Sequence, residues 1–190
     1  SLIFVSGINL IFFLSFFGLV SIVLSYIILF VPKFDYIQKR LFSFIDPNSG
    51  NNYQPEKASE AISGGGFFGK GIGEGTLNSR IPEAHTDYII SVISEEFGIL
   101  IVIFIMLILL IFSYQVLKKI NLESDNKAKL ILVGSITIIL LQAFIHIGVN
   151  IRFLPTTGMT LPFLSYGGSS IISTAILSGI ILNLTKRKLT

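Results

Sequence analysis

Cysteine and tryptophan are absent from the 190 residues, and charge is scarce. Without cysteine there is no disulfide framework, no thiolate metal site and no cysteine nucleophile. Two histidines, His85 and His146, are too few for a histidine-rich metal site. Charged residues make up 13%, where about 25% is usual for a soluble domain. Hydrophobic residues make up 52%, and mean hydropathy is +0.79. The 14 Lys+Arg exceed the 11 Asp+Glu by three, an excess too small to favour nucleic acid as a partner. These shortages nearly exclude a small soluble enzyme and leave a polytopic membrane protein as the reading to develop. The chain begins Ser-Leu-Ile rather than with Met, which reads as a piece of a longer protein.

The few charges divide the chain. Residues 1–32, 97–117, 130–151 and 153–185 carry none. A hydrocarbon core of about 30 Å needs about 20 apolar residues in a helix. Four spans are therefore expected, near 9–31, 97–117, 130–150 and 165–185. All must be helical, because lipid offers backbone groups no partner. The first lacks the basic start and short apolar run of a signal peptide. Lys118, Lys119, Lys127 and Lys129 lie in the loop 118–129, and Lys186, Arg187 and Lys188 in the tail 186–190. Two spans separate these basic stretches, so they share a side, and the positive-inside rule makes it cytoplasmic. The loops 32–96 and 152–164 then both face outward. The expected fold is one all-α membrane domain with a large extracytoplasmic loop.

The long outer loop keeps Phe, Tyr, Ile and Leu throughout, unlike a disordered segment. Ile37, Leu41, Phe44 and Ile45 fall on one helical face, and Asp46-Pro47 stops the pattern. A short interfacial helix is expected there, either as an anchor or as a place where Lys39 and Arg40 meet lipid headgroups. Seven of the twelve residues 64–75 are glycine. Gly64, Gly66 and Gly69 fit G-x-G-x-x-G, but no strand precedes them and no helix follows. Gly64, Gly69 and Lys70 fit a P-loop up to Gly71, which stands where Ser or Thr is required. What remains is a flexible turn or a nest of amides for an anion.

Arg80-Ile81-Pro82-Glu83-Ala84-His85-Thr86-Asp87-Tyr88 places six polar residues just before a span. Pro82 suits a helix start, and Thr86 or Asp87 suits its N-cap. The alternative for Asp87 is a carboxylate partly withdrawn from water at the membrane surface, with the makings of a general base. One of Glu95 and Glu96 must cap or pair, because both cannot face lipid. In the third span Gln142, His146 and Asn150 form a polar stripe, with Arg152 beyond. It serves either interhelical hydrogen bonding or a polar path for a headgroup. Residues 153–170 carry two Pro and three Gly but no charge, which suits a re-entrant segment, with Gly167 and Gly168 allowing close helix approach.

Pro82-Glu83-Ala84-His85-Thr86-Asp87 followed by Glu95-Glu96-Phe97-Gly98 resembles the signature of the SEDS family (shape, elongation, division and sporulation proteins). So does Leu154-Pro155-x-x-Gly158-x-Thr160-Leu161-Pro162-x-x-Ser165-Tyr166-Gly167-Gly168-Ser169-Ser170. The likeness runs from about residue 20 to 185, and Gly73-Glu74-Gly75-Thr76 with Ala84-His85 leans to the division branch over the elongation branch. The resemblance implies the C-terminal half of a ten-span bundle in the bacterial inner membrane at the division septum. It implies a peptidoglycan glycosyltransferase that polymerises lipid II, with Asp87 as the catalytic carboxylate. Lys70, Arg80, Glu83, His85, Thr86, Arg152, Thr157, Ser165 and Tyr166 are the expected substrate contacts. A divalent cation, Mg or Mn, is implied with ligands unspecified, and the implied partners are a class B penicillin-binding transpeptidase and other division membrane proteins. Two departures stand out: many division members carry Lys where Thr157 stands, and Asn is common where His146 stands. Rival readings are a lipid II flippase, in which the stripe matters more than Asp87, and a non-catalytic scaffold.

Overall fold

The computed structural model describes residues 10–46, 52–81 and 83–186. Pro47, Pro82, Arg187 and Lys188, used in the sequence reading, lie outside them. Among the described residues every regular element is helical. Contacts divide the chain after Asn52 into two compact units.

The first unit holds α1, Leu10–Phe30, a 3₁₀ turn, Pro32–Phe34, and α2, Asp35–Ile45. Val31 is extended and Pro32 has no amide to continue α1. The axis therefore turns by 92° between Leu14–Phe30 and Pro32–Ile45. Gln38 closes the corner: its side-chain amide donates to the carbonyls of Ile28 at 2.5 Å and Leu29 at 3.1 Å. Those carbonyls belong to the last turn of α1, which has no helical donors left. The expected 37–45 helix is α2, with Lys39 and Arg40 exposed.

The second unit holds α3, Tyr53–Gly65; α4, Leu77–Arg80; α5, Ile89–Phe97; α6, Ile99–Leu122; α7, Asn126–Asn150; and α8, Gly168–Thr185. Helices α6, α7 and α8 are long and apolar enough to cross a membrane, and the bent pair of the first unit is a fourth candidate. Helix α6 runs past the expected end of its span through Lys118 and Lys119, whose charges end the apolar stretch without ending the helix. A short turn then reverses the chain, and Asp125 caps α7 by accepting from the Lys127 amide at 3.0 Å. Helix α7 is the central one. Leu132, Val133, Ile136 and Ile139 pack with Val116 and Ile120 of α6 and Ile181 of α8.

At the other end of α7, residues 53–81 and 83–96 of the expected long loop fold around a core of their own with Val149. Ala58 and Ala61 of α3 pack with Leu77, Ile81, Ala84, Tyr88, Val92 and Val149. Helix α3 meets α5 almost backbone to backbone. A Cβ on Gly65 would lie 1.9 Å from the Ser94 carbonyl oxygen, and one on Gly69 would lie 2.1 Å from that of Glu96. The glycine run is thus first a packing surface. Gly65→Val in the full-length protein should lower the detergent-solubilised Tm by the equivalent of about 1–3 kcal/mol, the usual cost of overpacking. Gly168→Ala, where nothing lies within 4 Å of an added Cβ, should leave Tm essentially unchanged.

Candidate active site

The two motif segments meet. Residues 83–88 form consecutive turns, in which the Glu83 carbonyl accepts from the Thr86 amide at 3.2 Å, the Thr86 hydroxyl at 3.0 Å and the Asp87 amide at 3.1 Å. The re-entrant segment is stapled onto this turn. Tyr166 donates its amide to the His85 carbonyl at 3.1 Å. The Ser165 hydroxyl donates to the Thr86 carbonyl at 2.7 Å and accepts from the Leu161 amide at 2.8 Å.

A third element fixes the turn from below. Asn150, fully buried at the end of α7, donates its side-chain amide to the Asp87 carbonyl at 3.0 Å and to the His146 carbonyl at 2.8 Å. Its side-chain oxygen accepts from the Ser91 amide at 3.2 Å and the Ser91 hydroxyl at 2.7 Å. One side chain therefore joins α7, the Asp87 backbone and the first turn of α5.

The Asp87 carboxylate is half-buried and lies on the side of Gly158, whose Cβ, if it had one, would be 3.4 Å from Asp87 Oδ2. Gly158 has φ +71, so a side chain there would be strained, and its Cβ would touch the carboxylate. The capping role expected for Thr86 or Asp87 is not realised at the cap position: Tyr88 is the N-cap of α5 and makes no side-chain cap bond. Glu83, His85, Thr157 and Tyr166 are exposed around the same end of the bundle, whereas Ser165 is buried and its hydroxyl serves the staple. Arg152 is half-buried just past α7, with left-handed backbone at φ 58.

Lys70 and Arg80 belong to another group, around a cavity of about 240 Å³ lined also by Lys57, Glu60, Thr76, Leu77 and Glu95. Lys70 is not an unpaired cation. Its ammonium donates to Glu95 Oε1 at 2.7 Å, the Thr76 hydroxyl joins the same oxygen at 3.1 Å, and the Leu77 amide donates to Oε2 at 2.9 Å. Of the two carboxylates expected to need a partner, Glu95 is the one that is buried and paired. Burial alone would raise its pKa. The Lys70 ammonium with the Leu77 and Thr76 donors outweighs that effect and holds the carboxyl at about 2. Arg80 is exposed, and its guanidinium makes no ion pair or hydrogen bond with the described residues.

The polar stripe of α7 bonds inward. The Gln142 side-chain amide donates to the Thr160 carbonyl at 3.0 Å and to the Thr160 and Ser170 hydroxyls at 3.1 Å. His146 is fully buried, and its Nε2 has no hydrogen-bond partner among the described residues. Of the glycines expected to permit close helix approach, a Cβ on Gly167 would lie 3.3 Å from Thr160 Cγ2, while one on Gly168 would meet nothing within 4 Å. The sequence reading missed Ser91 and all of α3. Ala58, Ala61 and Gly65, three small residues on one helical face, were the available signal. Among the described residues no three His, Asp or Glu side chains gather in a way that would hold a metal ion. Such a cluster is what a cation held by the protein alone would need, whereas a cation carried on a pyrophosphate needs only one or two carboxylates.

A family model described as cell cycle protein, spanning FtsW, RodA and SpoVE, matches residues 1–189. The chain belongs to the FtsW/RodA/SpoVE family. It is 37% identical over 158 residues to a protein of Caulobacter vibrioides named probable peptidoglycan glycosyltransferase FtsW, covering 82% of this chain and 40% of that one. Proteins of the same name from Geobacter metallireducens and Legionella pneumophila are 35% and 36% identical, over 90% and 97% of this chain. All three carry the name of the division branch, to which the motifs lean. The chain spans about half the length of the FtsW relatives it matches, 46% and 48% for the latter two. A solved peptidoglycan synthase complex that coordinates polymerization and crosslinking has a chain of the same fold. The TM-score is 0.72 at 23% identity, over 100% of this chain and 53% of that one.

The Glu95 network predicts a pH dependence. A carboxyl lowered from 4.5 to about 2 by folding contributes stability that is complete above the unfolded value and lost as pH falls from 4.5 through 2. Tm of the full-length protein should therefore fall between pH 5 and pH 3. Glu95→Gln should show a lower Tm at pH 6 and a weaker dependence over that interval.

Proposed function

We propose that this chain carries the reacting turn of a peptidoglycan glycosyltransferase that polymerises lipid II during septal wall synthesis, with Asp87 as the base. The observation that carries the reading is the placing of the Asp87 carboxylate. It is half-buried, opposite Gly158, on a turn whose backbone is held from two sides by Asn150 and the Ser165–Tyr166 staple. The FtsW names of the relatives supply the substrate class.

In the reaction the acceptor sugar hydroxyl attacks the anomeric carbon of the donor. A new C–O bond forms, the bond to the polyprenyl pyrophosphate breaks with its electron pair, and Asp87 takes the hydroxyl proton. Positioned general bases contribute about 10²–10⁴-fold. Charge building on the departing pyrophosphate is met best by cations not already spent. Arg152, just past the end of α7 that carries Asn150, fits that role better than Lys70, whose ammonium is engaged by Glu95, or Arg80, which lines the same cavity as Lys70. Exposed Glu83, His85, Thr157 and Tyr166 ring the end of the bundle where a headgroup would arrive. That end is read as extracytoplasmic from the basic stretches at the other. The site then belongs at the outer face of the bacterial inner membrane, at the septum. The solved synthase complex, which couples polymerization to crosslinking, supports a class B transpeptidase as partner. Transport was suggested by the α7 stripe, and the inward bonding of Gln142 and Asn150 takes away that support.

Asp87→Asn in the full-length protein with its partner should reduce glycan polymerisation from purified lipid II by at least about 10²-fold, with normal membrane levels. Strand synthesis at the wild-type rate would overturn the assignment.

A further inference from the structure

We propose that the glycine-rich loop tip formed by Phe67, Phe68 and Ile72 is an anchor that inserts into the lipid bilayer at the level where α6 begins. All three side chains are strongly exposed, at 70%, 84% and 79%. A contiguous exposed apolar group marks an interaction site rather than a solvated surface.

The loop is not free to bury these side chains by folding over. The Lys70 amide donates to the Glu95 carbonyl at 2.8 Å, the Gly71 amide to that of Glu96 at 3.0 Å, and the Ile99 amide to that of Gly66 at 3.0 Å. Gly98 faces the loop backbone so closely that a Cβ would lie 2.1 Å from the Phe67 carbonyl oxygen. The tip is therefore buttoned to the last turn of α5 and the first residue of α6.

That fixes its depth. Helix α6 has 24 residues, about 36 Å at 1.5 Å per residue, enough to cross a hydrocarbon core of about 30 Å. Its first residue then lies at the membrane boundary, and so does the tip. Leu100, Ile101, Ile103 and Phe104 are likewise exposed in the first turns of α6, which begins at the residue bonded to Gly66. The one charge inside the tip, Lys70, turns away to Glu95. Residues 66–69 and 71–73 carry no charge, and exposed Glu74, which closes the turn on the Gly71 carbonyl, is the next charged residue. A rigid aromatic tip whose one cation is paired with Glu95, next to a spanning helix, matches the chemistry of an interfacial lipid anchor. The proposal does not depend on the chemistry at Asp87.

The test places a spin label by Phe68→Cys, and separately by Ile72→Cys, in the full-length protein with any other cysteine replaced. The protein is reconstituted in phosphatidylethanolamine–phosphatidylglycerol vesicles. Power saturation compares collisions with oxygen, which enters lipid, and with a nickel chelate, which stays in water. Ser63→Cys on exposed α3 is the water reference, and Leu107→Cys on α6 the lipid reference. Both tip labels should show a several-fold higher oxygen-to-nickel ratio than the Ser63 label and approach the Leu107 label. A ratio equal to that at Ser63 would put the tip in water and overturn the proposal. Low collision rates with both reagents would mean that protein, from elsewhere in the polypeptide or from a partner, covers the tip, and would overturn it equally.

Discussion

The arrangement around Asp87 depends on one buried amide. Asn150 has two donors and an acceptor, and each is matched: carbonyls of Asp87 and His146 on one side, the Ser91 amide and hydroxyl on the other. In an apolar surrounding each unmatched group would cost about 1–3 kcal/mol. The bonds therefore specify a geometry rather than merely adding stability. They set where α5 starts relative to the end of α7, and so where the 83–88 turn can lie. Ser165 then docks the re-entrant segment on that turn, which brings Gly158 beside the Asp87 carboxylate. Three stretches distant in sequence form one site through side chains that do no chemistry themselves.

A second network holds the part of the loop farther from Asp87. Glu95 is the buried counterpart of Lys70, Thr76 and Leu77, and it joins α5 to the glycine-rich tip and to the chain that follows it. Lys70 is partly exposed, but the buried Glu95 carboxylate left without its donors would be costly, which ties the loop to α5. With Gly65 and Gly69 packed against the α5 backbone, this network turns a low-complexity run into a fixed shape. The described residues from Tyr53 to Phe97 thereby form an ordered platform.

Much of the fold was legible because its cause is local. Uncharged runs mark α6, α7 and α8, and the spacing of Ile37, Leu41, Phe44 and Ile45 marks α2. Where the reading fell short, the deciding interaction is distant in sequence. Helix α3 carries little hydrophobic periodicity because it buries Ala58, Ala61 and Gly65 against α5, and small residues write a faint pattern. Lys70 read as a free cation because Glu95, its partner, is 25 positions away. Asp87 read as a possible cap until the cap position fell to Tyr88. Gln142 and Asn150 were recognisable as polar groups that must face protein, but their partners Thr160, Ser170 and Ser91 come only from the tertiary arrangement.

Asn150→Asp tests most directly whether this amide sets the position of the reacting carboxylate. The substitution keeps size and the acceptor toward Ser91 but removes the donors to Asp87 and His146. Polymerisation from lipid II and Tm would be measured on the same full-length preparation. The rate should fall by about tenfold or more, with KM little changed and the protein still folded, because a misplaced group loses catalysis steeply. A folded Asn150→Asp protein that polymerises at the wild-type rate would contradict the account.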